Sequence, residues 1–403
     1  MLTGDQDKVR KINKSIVLNT LRLCAPISRA RVANLTGLNR GTVSNIVNDL
    51  IGEGLVTENE QEVSSIGRPA ISLTLRPDGG AVIGVEFGVD FISIILTNFV
   101  ADILWVQRVK INATQSQTEI IGQAEQLVEE AIDIASQKQL RLLGIGVGLP
   151  GLVNIRQGEL IFAPNLKWQS VPIRLMWGQR FHLPIYVENE ANLAALAEYY
   201  FGVARGVDDF VYLSSGIGLG GGIMIGGKLF RGGRGFAGEI GHTQRDPNGE
   251  LCACGRVGCW ETQVGPRAVL RRIQKEFQVH PDAALLDACQ GDILSLTFEK
   301  VVEFATGGNS TCRLAIEEVA HYLGVGIADL VNIFNPNLVV IGGAFILGQE
   351  ILRPIIETTA YPMMLHPSGE NLKIAFSELG ADACVLGAVA AVLDAILREM
   401  TIV

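Results

Sequence analysis

The sequence predicts an α/β chain, in which a small helical module with a β-wing precedes a body of two α/β lobes. Three observations carry this. The 46 glycines sit mostly in short clusters between apolar runs, the pattern of tight strand-to-helix turns. Helical spacing of apolar residues gives way to extended apolar runs at Ala81. Charge is segregated: the net charge is −9, yet Met1 to Leu55 holds eight basic residues (Lys8, Arg10, Lys11, Lys14, Arg22, Arg29, Arg31, Arg40) against four acids (Asp5, Asp7, Asp49, Glu53). That segment is therefore +4 and the remainder −13. A basic end on an acidic body fits a chain that approaches phosphates with one end only.

At roughly 100–200 residues per domain, 403 residues suggest two or three domains, and 48 % hydrophobic content is ample for their cores. No apolar run reaches the roughly 18 residues that cross a bilayer, and Met1 to Lys14 is polar, unlike a signal peptide. A soluble, cytoplasmic chain with no membrane partner is expected. The 7 cysteines are odd in number and three crowd together, which suggests metal binding over a disulfide framework.

Lys8 to Leu23 reads as a helix, with Ile12, Ile16, Leu18, Leu21 and Leu23 apolar and Pro26 as its stop. Ser28 caps a second helix that buries Val32, Ala33 and Leu35 and ends at Thr36-Gly37. Asn39 caps a third, with Val43, Ile46, Val47 and Leu50 as its stripe and Arg40, Thr42, Ser44 and Asn45 exposed at its start. Two helices joined by a short glycine turn, the second polar at its N-terminus, form the helix-turn-helix pattern that offers donors and acceptors to base edges. Gly54 to Thr57 and Ile71 to Leu75 form the wing. Gly67-Arg68-Pro69 at its base is slim enough for Arg68 to enter a minor groove. Arg29, Arg40, Thr42, Ser44, Asn45 and Arg68 are the expected DNA-facing residues, on a module spanning 1–78; a plain three-helix packing module is the alternative.

Strand-turn-strand over Ala81 to Asp90, strands to Ile111, a helix from Thr118 to Lys138 and a buried strand Leu143 to Gly148 open the first lobe, 79–200. Helix 383–403 is expected to complete it. The second lobe, 201–382, repeats the plan: strand Phe210 to Ser214, a glycine loop Ser215 to Gly222, strand Ile223 to Ile225, and strand Leu338 to Ala344 before a helix. Three antiparallel strands followed by alternating helix and strand is the opening of an actin/hexokinase-like (ribonuclease H-like) lobe.

His242, Cys252, Cys254 and Cys259 form a His-x9-Cys-x-Cys-x4-Cys cluster. Four nitrogen and sulfur ligands close a tetrahedron around Zn²⁺ and leave no open position, so a structural metal is expected.

Gly238-Glu239-Ile240-Gly241-His242 together with Cys252-Ala253-Cys254-Gly255-Arg256-Val257-Gly258-Cys259-Trp260-Glu261 carries a resemblance, supported by Ala163-Pro164-Asn165-Leu166 and Glu188-Asn189-Glu190-Ala191-Asn192. The chain resembles the repressor branch of the ROK family (repressors, open reading frames, sugar kinases), and its xylose-repressor type. The resemblance implies sugar contacts at Asn165, Asn189, Glu190, Glu239, His242 and Glu261, with His242 serving metal and sugar. It further implies operator DNA and a monosaccharide effector as partners, and a homodimer or dimer of dimers. A protein regulator is a further possible partner.

Family kinases carry their base as Asp in an Asn-Asp pair; here Glu190 stands at that position. Their Asp-x-Gly-Gly-Thr phosphate loop is Glu86-Phe87-Gly88-Val89-Asp90 here, with bulk and negative charge where phosphate would sit. These departures favour a sensor without turnover, and no catalytic residue is assigned. The alternative is an active ATP-dependent ROK sugar kinase carrying a DNA-binding domain.

Overall fold

Capping residues and an ion-paired seam decide how the N-terminal module folds. In the computed structural model, which describes residues 3–60, 71–112 and 114–399, helices α1 (Thr3–Cys24), α2 (Arg29–Thr36) and α3 (Arg40–Gly52) pack together. Ser28 caps α2, which ends at Gly37 with φ 69°, and the Asn39 side chain accepts from Thr42 N–H at 2.8 Å. Arg10 bonds Asp49 at 2.6 Å and Lys14 bonds Glu53 at 2.5 Å. Helical spacing puts Arg10, Lys14, Val17, Leu18 and Leu21 on one face of α1, and the last three are buried. The opposite face therefore carries Ile12 and Ile16, which are exposed, contrary to the apolar stripe expected from sequence. Leu35 is also exposed: α2 buries only Val32 and Ala33. Strands β1 (Val56–Glu60) and β2 (Ile71–Leu75) pair antiparallel as the wing, and Gly67-Arg68-Pro69 lies outside the described residues.

The chain divides into two compact units, Met1–Ala163, Trp168–Tyr200 and Cys384–Val403 forming the first, and Pro164–Lys167 and Phe201–Ala383 the second. The main sheet of the first unit is built from β3 (Ala81–Phe87), β4 (Phe91–Asn98), β5 (Ile103–Lys110), β6 and β10. Helix α4 (Gln117–Gln137) precedes β6 (Leu142–Leu149). A small sheet of β7 (Leu152–Asn154), β8 (Glu159–Ala163) and β9 (Trp168–Val171) follows, then α5 (Ile173–Phe181), β10 (Ile185–Asn189) and α6 (Glu190–Phe201). The order is β10-β6-β3-β4-β5, with β3, β4 and β5 antiparallel and β6 and β10 parallel to β3.

The second unit repeats that order in its own sheet. Strands β11 (Phe210–Ser215), β12 (Leu219–Ile225) and β13 (Lys228–Leu229) are antiparallel. Helices α7 (Trp260–Gln263), α8 (Pro266–Val279), α9 (Ala283–Ala288), α10 (Phe298–Thr306) and α11 (Ser310–Phe334) intervene. Then β14 (Leu338–Gly343), α12 (Gln349–Ala360) and β15 (Lys373–Phe376) complete the unit, giving β13-β12-β11-β14-β15. The glycine loop expected over Ser215 to Gly222 is shorter than that, because β12 already begins at Leu219. Its glycines serve close approach within the sheet: a Cβ on Gly221 would lie 2.6 Å from Ile240 Cδ1 and 3.0 Å from Gly238 O.

The last helix, α13 (Ala383–Glu399), returns to the first unit. It lies on a strip of strand glycines: a Cβ on Gly146 would meet Ala388 O at 2.1 Å, and one on Gly84 would meet Val385 O at 2.4 Å. Val385, Val389, Val392 and Leu393 join one core with Val17, Leu18, Leu21 and Leu50 of the N-terminal module and Val82 and Ile95 of the sheet. Winged module and sheet thus share a continuous apolar interior. No helix among the described residues is long and apolar enough to cross a membrane.

Candidate functional site

In the second unit, backbone geometry gathers His242 and three cysteines. The Cys252 N–H donates to Arg256 O at 2.8 Å and the Gly255 N–H to Cys252 O at 2.9 Å, a tight turn that aims two thiols the same way. Gly258 takes φ 69°, and any Cβ there would lie 1.5 Å from Asp246 O. The four ligand atoms all lie within 4.8 Å of one another, so the cluster could hold a metal ion. Its edges test the fit. Tetrahedral bonds of about 2.3 Å to sulfur and about 2.05 Å to nitrogen give edges of about 3.8 Å between sulfurs and about 3.6 Å from nitrogen to sulfur. Cys254 Sγ to Cys259 Sγ is 3.7 Å, and His242 Nδ1 to Cys252 Sγ is 3.6 Å. Burial, and then Glu261, pushes the Cys252 thiol up, so a metal ion displaces that proton on binding.

The loop is anchored through Trp260. Its indole N–H donates to Tyr322 O at 3.2 Å, and the ring fills the space left by Gly326 on α11. Arg245 pairs with Asp329 of α11 and lies with its Cζ 5.3 Å from the Trp260 ring centre. From α8, Lys275 bonds Glu250 at 2.8 Å, and Arg271 donates to Thr262 O.

Three of the expected sugar residues meet around this loop. Glu261 Oε1 lies 3.6 Å from His242 Nδ1, and Glu239 Oε2 lies 3.7 Å from His242 Nε2. The imidazole thus turns Nδ1 to the thiols and Nε2 to Glu239. Burial raises the Glu239 carboxyl above the ordinary range, with His242 opposing and Glu261 adding to the rise. Such a set of carboxylates and imidazole suits an array of hydroxyls, each both donor and acceptor. Asn165 lies exposed in the turn Pro164–Lys167 of the same unit.

Asn189 and Glu190 stand in the first unit, where β10 passes into α6. The Asn189 carbonyl accepts from Ala191 N–H at 2.9 Å and Asn192 N–H at 3.2 Å, and its amide donates to Gly151 O at 3.0 Å. Asn189 therefore also caps α6. Glu86 of β3 and Glu188 of β10 flank Gly148 of β6 in register, so their side chains share a sheet face. Above it lies Cys384, whose thiol is raised by burial first, then by Glu86 and Glu190. Sequence reasoning singled out Glu86 and Glu190 but missed Glu188 and Cys384, which only strand register and the return of α13 bring to them.

On the N-terminal module, Arg40 and Asn45 are exposed at the start of α3, while Thr42 and Ser44 are half-buried. Arg29, expected to face DNA, is engaged inside the module: it bonds Glu58 Oε1 at 2.7 Å, Ser44 O at 3.1 Å and Asn48 Oδ1 at 2.8 Å. It ties α2, α3 and β1 together, because its position in the first turn of α2 points it into their junction. Arg31 is exposed and was not singled out from sequence. Arg68 lies outside the described residues.

Comparison with known proteins gives concordant results. The ROK family model matches residues 82–395. A xylose repressor from Caldicellulosiruptor bescii is 39 % identical over 398 residues, covering 98 % of each chain. The crystal structure of a ROK family transcriptional regulator, a homologue of the E. coli MLC protein, superposes with a TM-score of 0.83 at 28 % identity, over 98 % of this chain and 99 % of that one. A ROK family glucokinase from Streptomyces griseus, solved with glucose and AMPPNP, is 31 % identical with a TM-score of 0.66; it is covered over 98 % of its length but spans 77 % of this chain.

Proposed function

The chain belongs to the ROK family, and from that membership we propose that it is a sugar-responsive transcriptional repressor of carbohydrate-utilisation genes. One observation carries this reading. The family match begins at residue 82, and the segment before it folds as a winged helix-turn-helix with Arg40 and Asn45 exposed on the second helix of the motif. A body shared with sugar kinases thus carries a DNA-reading module that shares its core.

In this reading, α3 enters the major groove with Arg40, Thr42, Ser44 and Asn45 near its leading end, and Arg68 of the wing reaches the minor groove. Arg29 holds the module together and Arg31 meets a phosphate. His242, Cys252, Cys254 and Cys259 hold a structural zinc ion. Held by these four side chains, the ion would cross-link the 242–259 loop and so fix Glu239 and Glu261, a structural role and not a catalytic one. Asn165, Asn189, Glu190, Glu239, His242 and Glu261 receive the hydroxyls of a monosaccharide. The protein works as a homodimer or a dimer of dimers reading paired half-sites, inside the cytoplasm.

We assign binding without phosphoryl transfer. Glu86 and Glu188 share a sheet face beside Glu190, with Asp90 in the adjoining turn. Such a group of acids repels a polyphosphate unless metal ions neutralise it. Calorimetric titration of the zinc-loaded protein with D-xylose, D-glucose and N-acetylglucosamine, with and without AMPPNP, tests the assignment alongside an ATP-coupled assay. Binding of one sugar that ignores the nucleotide, with no turnover, is the expected result. Turnover with any sugar would establish the kinase alternative.

A further inference from the structure

Helices α6 and α13 run from the effector-facing residues to the DNA-binding module, and Arg22 contacts both. Glu190 is the first residue of α6 and Tyr200 lies near its end, about 15 Å on at 1.5 Å per residue. Cys384 stands at the start of α13, within electrostatic reach of Glu86 and Glu190, and Ala390 and Asp394 lie near the middle of the helix. Midway, the helices meet backbone to backbone: a Cβ on Gly387 would lie 1.8 Å from Leu193 O. Every residue of α6 from Ala191 to Tyr200 is buried, so the helix has no soft side on which to absorb a displacement.

Arg22 occupies the last turn of α1. Its Cζ lies 3.6 Å from the centre of the Tyr200 ring, and its Nη2 donates to Ala390 O at 3.4 Å. The Tyr200 hydroxyl donates to Asp394 Oδ1 at 3.1 Å. One guanidinium thus touches the α6 side chain by its plane and the α13 backbone by its edge. Its Nε and Nη1 atoms are shielded from solvent, burial opposes its charge, and Tyr200 and Asp394 favour it. A cation is costly to desolvate there, and leucine would fill the space without that cost. What arginine adds is direction: a plane that stacks and donors at fixed angles.

We propose that Arg22 is the positioning residue through which effector occupancy at the Glu190 end of α6 is read by the DNA-binding module. Displacement of α6 moves the Tyr200 ring, displacement of α13 moves the Ala390 carbonyl, and the guanidinium held between them carries α1. Helix α1 shares its core with α2 and α3, so the whole module follows. The inference rests on the sugar-responsive repressor reading above and adds the route of the response.

The test uses the full-length, zinc-loaded protein and a duplex recovered from a random library by the wild type. DNA affinity is measured with and without saturating D-xylose, and D-xylose affinity is measured separately by calorimetry. The wild type is expected to change its DNA affinity about tenfold or more on adding D-xylose, within the usual range of allosteric coupling. In Arg22→Met, D-xylose affinity and sugar-free DNA affinity stay within about threefold of wild type, while the sugar-dependent ratio falls below about threefold. Tyr200→Phe keeps the ring but loses the Asp394 bond, folds with the ring still packed, and gives an intermediate ratio. Arg22→Lys restores charge without the plane and does not recover the ratio. A purely structural role would weaken DNA binding equally with and without sugar, and so leave the ratio unchanged. Arg22→Met with a wild-type ratio would overturn the inference. A wild type that binds the duplex but responds to none of D-xylose, D-glucose and N-acetylglucosamine would overturn the repressor reading itself, and the inference with it; where D-glucose or N-acetylglucosamine is the sugar that binds, it takes the place of D-xylose throughout the test.

Discussion

Replacing Gly326 with alanine tests whether Trp260 anchors the metal loop. Gly326 lies inside α11, and an alanine Cβ there would stand 1.9 Å from Cζ2 of the indole and 2.3 Å from Cε2. Trp260 is only 1 % exposed, so the ring has no open space into which to retreat. Overpacking of this kind costs about 1–3 kcal/mol. Moving the ring also breaks the bond from its N–H to Tyr322 O, worth about 1 kcal/mol. Alanine recovers about 1 kcal/mol of helix propensity. The net is a loss of about 2 kcal/mol, or about 4–8 °C in Tm at the scaling usual for a unit of this size. The control is Gly122→Ala on α4, where no atom lies within 4 Å of the new Cβ; it should stabilise by about 0.5–1 kcal/mol. Both are measured by thermal and urea unfolding, with retained zinc determined on the same samples. Trp260 is the only tryptophan of the second unit, so in a Trp105→Phe, Trp168→Phe, Trp177→Phe background its fluorescence reports the loop. If Gly326→Ala unfolds at or above the wild-type midpoint with its zinc intact, the indole does not hold the loop against α11, and the anchoring argument fails.

Two further outcomes follow from the same geometry. Stripping the metal with a chelator, or substituting Cys259→Ser, is expected to weaken monosaccharide binding by about tenfold or more, the scale seen when groups that orient a site are lost. Sugar-free DNA binding should persist, because the winged module belongs to the first unit; unchanged sugar titrations after complete metal removal would refute the role given to the loop. Arg31→Ala is expected to weaken DNA binding across all sequences and to lower the salt-dependence slope by about one. Arg29→Ala instead should lower stability by about 1–2 kcal/mol through the bonds to Glu58, Ser44 and Asn48, with the salt slope of the folded protein unchanged; reversed slopes in gel-shift titrations would exchange the two assignments.

Local signals in the sequence were read correctly where one residue decides the outcome. Ser28 and Asn39 cap the helices they were expected to cap, and Gly37 ends α2, because a short polar side chain or a missing Cβ acts within one turn. The spacing of His242, Cys252, Cys254 and Cys259 was legible for the same reason: a metal site records its geometry in the chain as intervals. What was not legible depends on distant partners. Ile12 and Ile16 looked buried because their spacing fits a helix, yet the face that packs on the module is that of Val17, Leu18 and Leu21, with the pairs Arg10–Asp49 and Lys14–Glu53 along its edge. Gly220 to Gly222 looked like a loop, whereas the segment around Gly238 and Ile240 requires a strand without side chains. Arg29 and Arg22 both read as cations available to phosphate. Nothing near them in sequence marks Glu58 or Tyr200 as their partners.

The shared core narrows how an effector can act on DNA. Had the winged module hung from a flexible linker, its orientation would have been independent of the body, and sugar could have changed only local concentration or reach. Instead, Val385, Val389, Val392 and Leu393 of α13 pack in one cluster with Val17, Leu18 and Leu21 of α1, and the same helix lies on the glycines of β3 and β6. A close-packed interior transmits displacement and absorbs little of it. The recognition helix is therefore oriented by the first unit, and any rearrangement that sugar produces among Glu86, Glu190 and Cys384 acts directly on β3, α6 and α13, which carry them. The response must then be a change in how the whole module is presented to DNA. Its size is limited by the difference in sugar affinity between the two arrangements, since a ligand that binds both equally shifts neither.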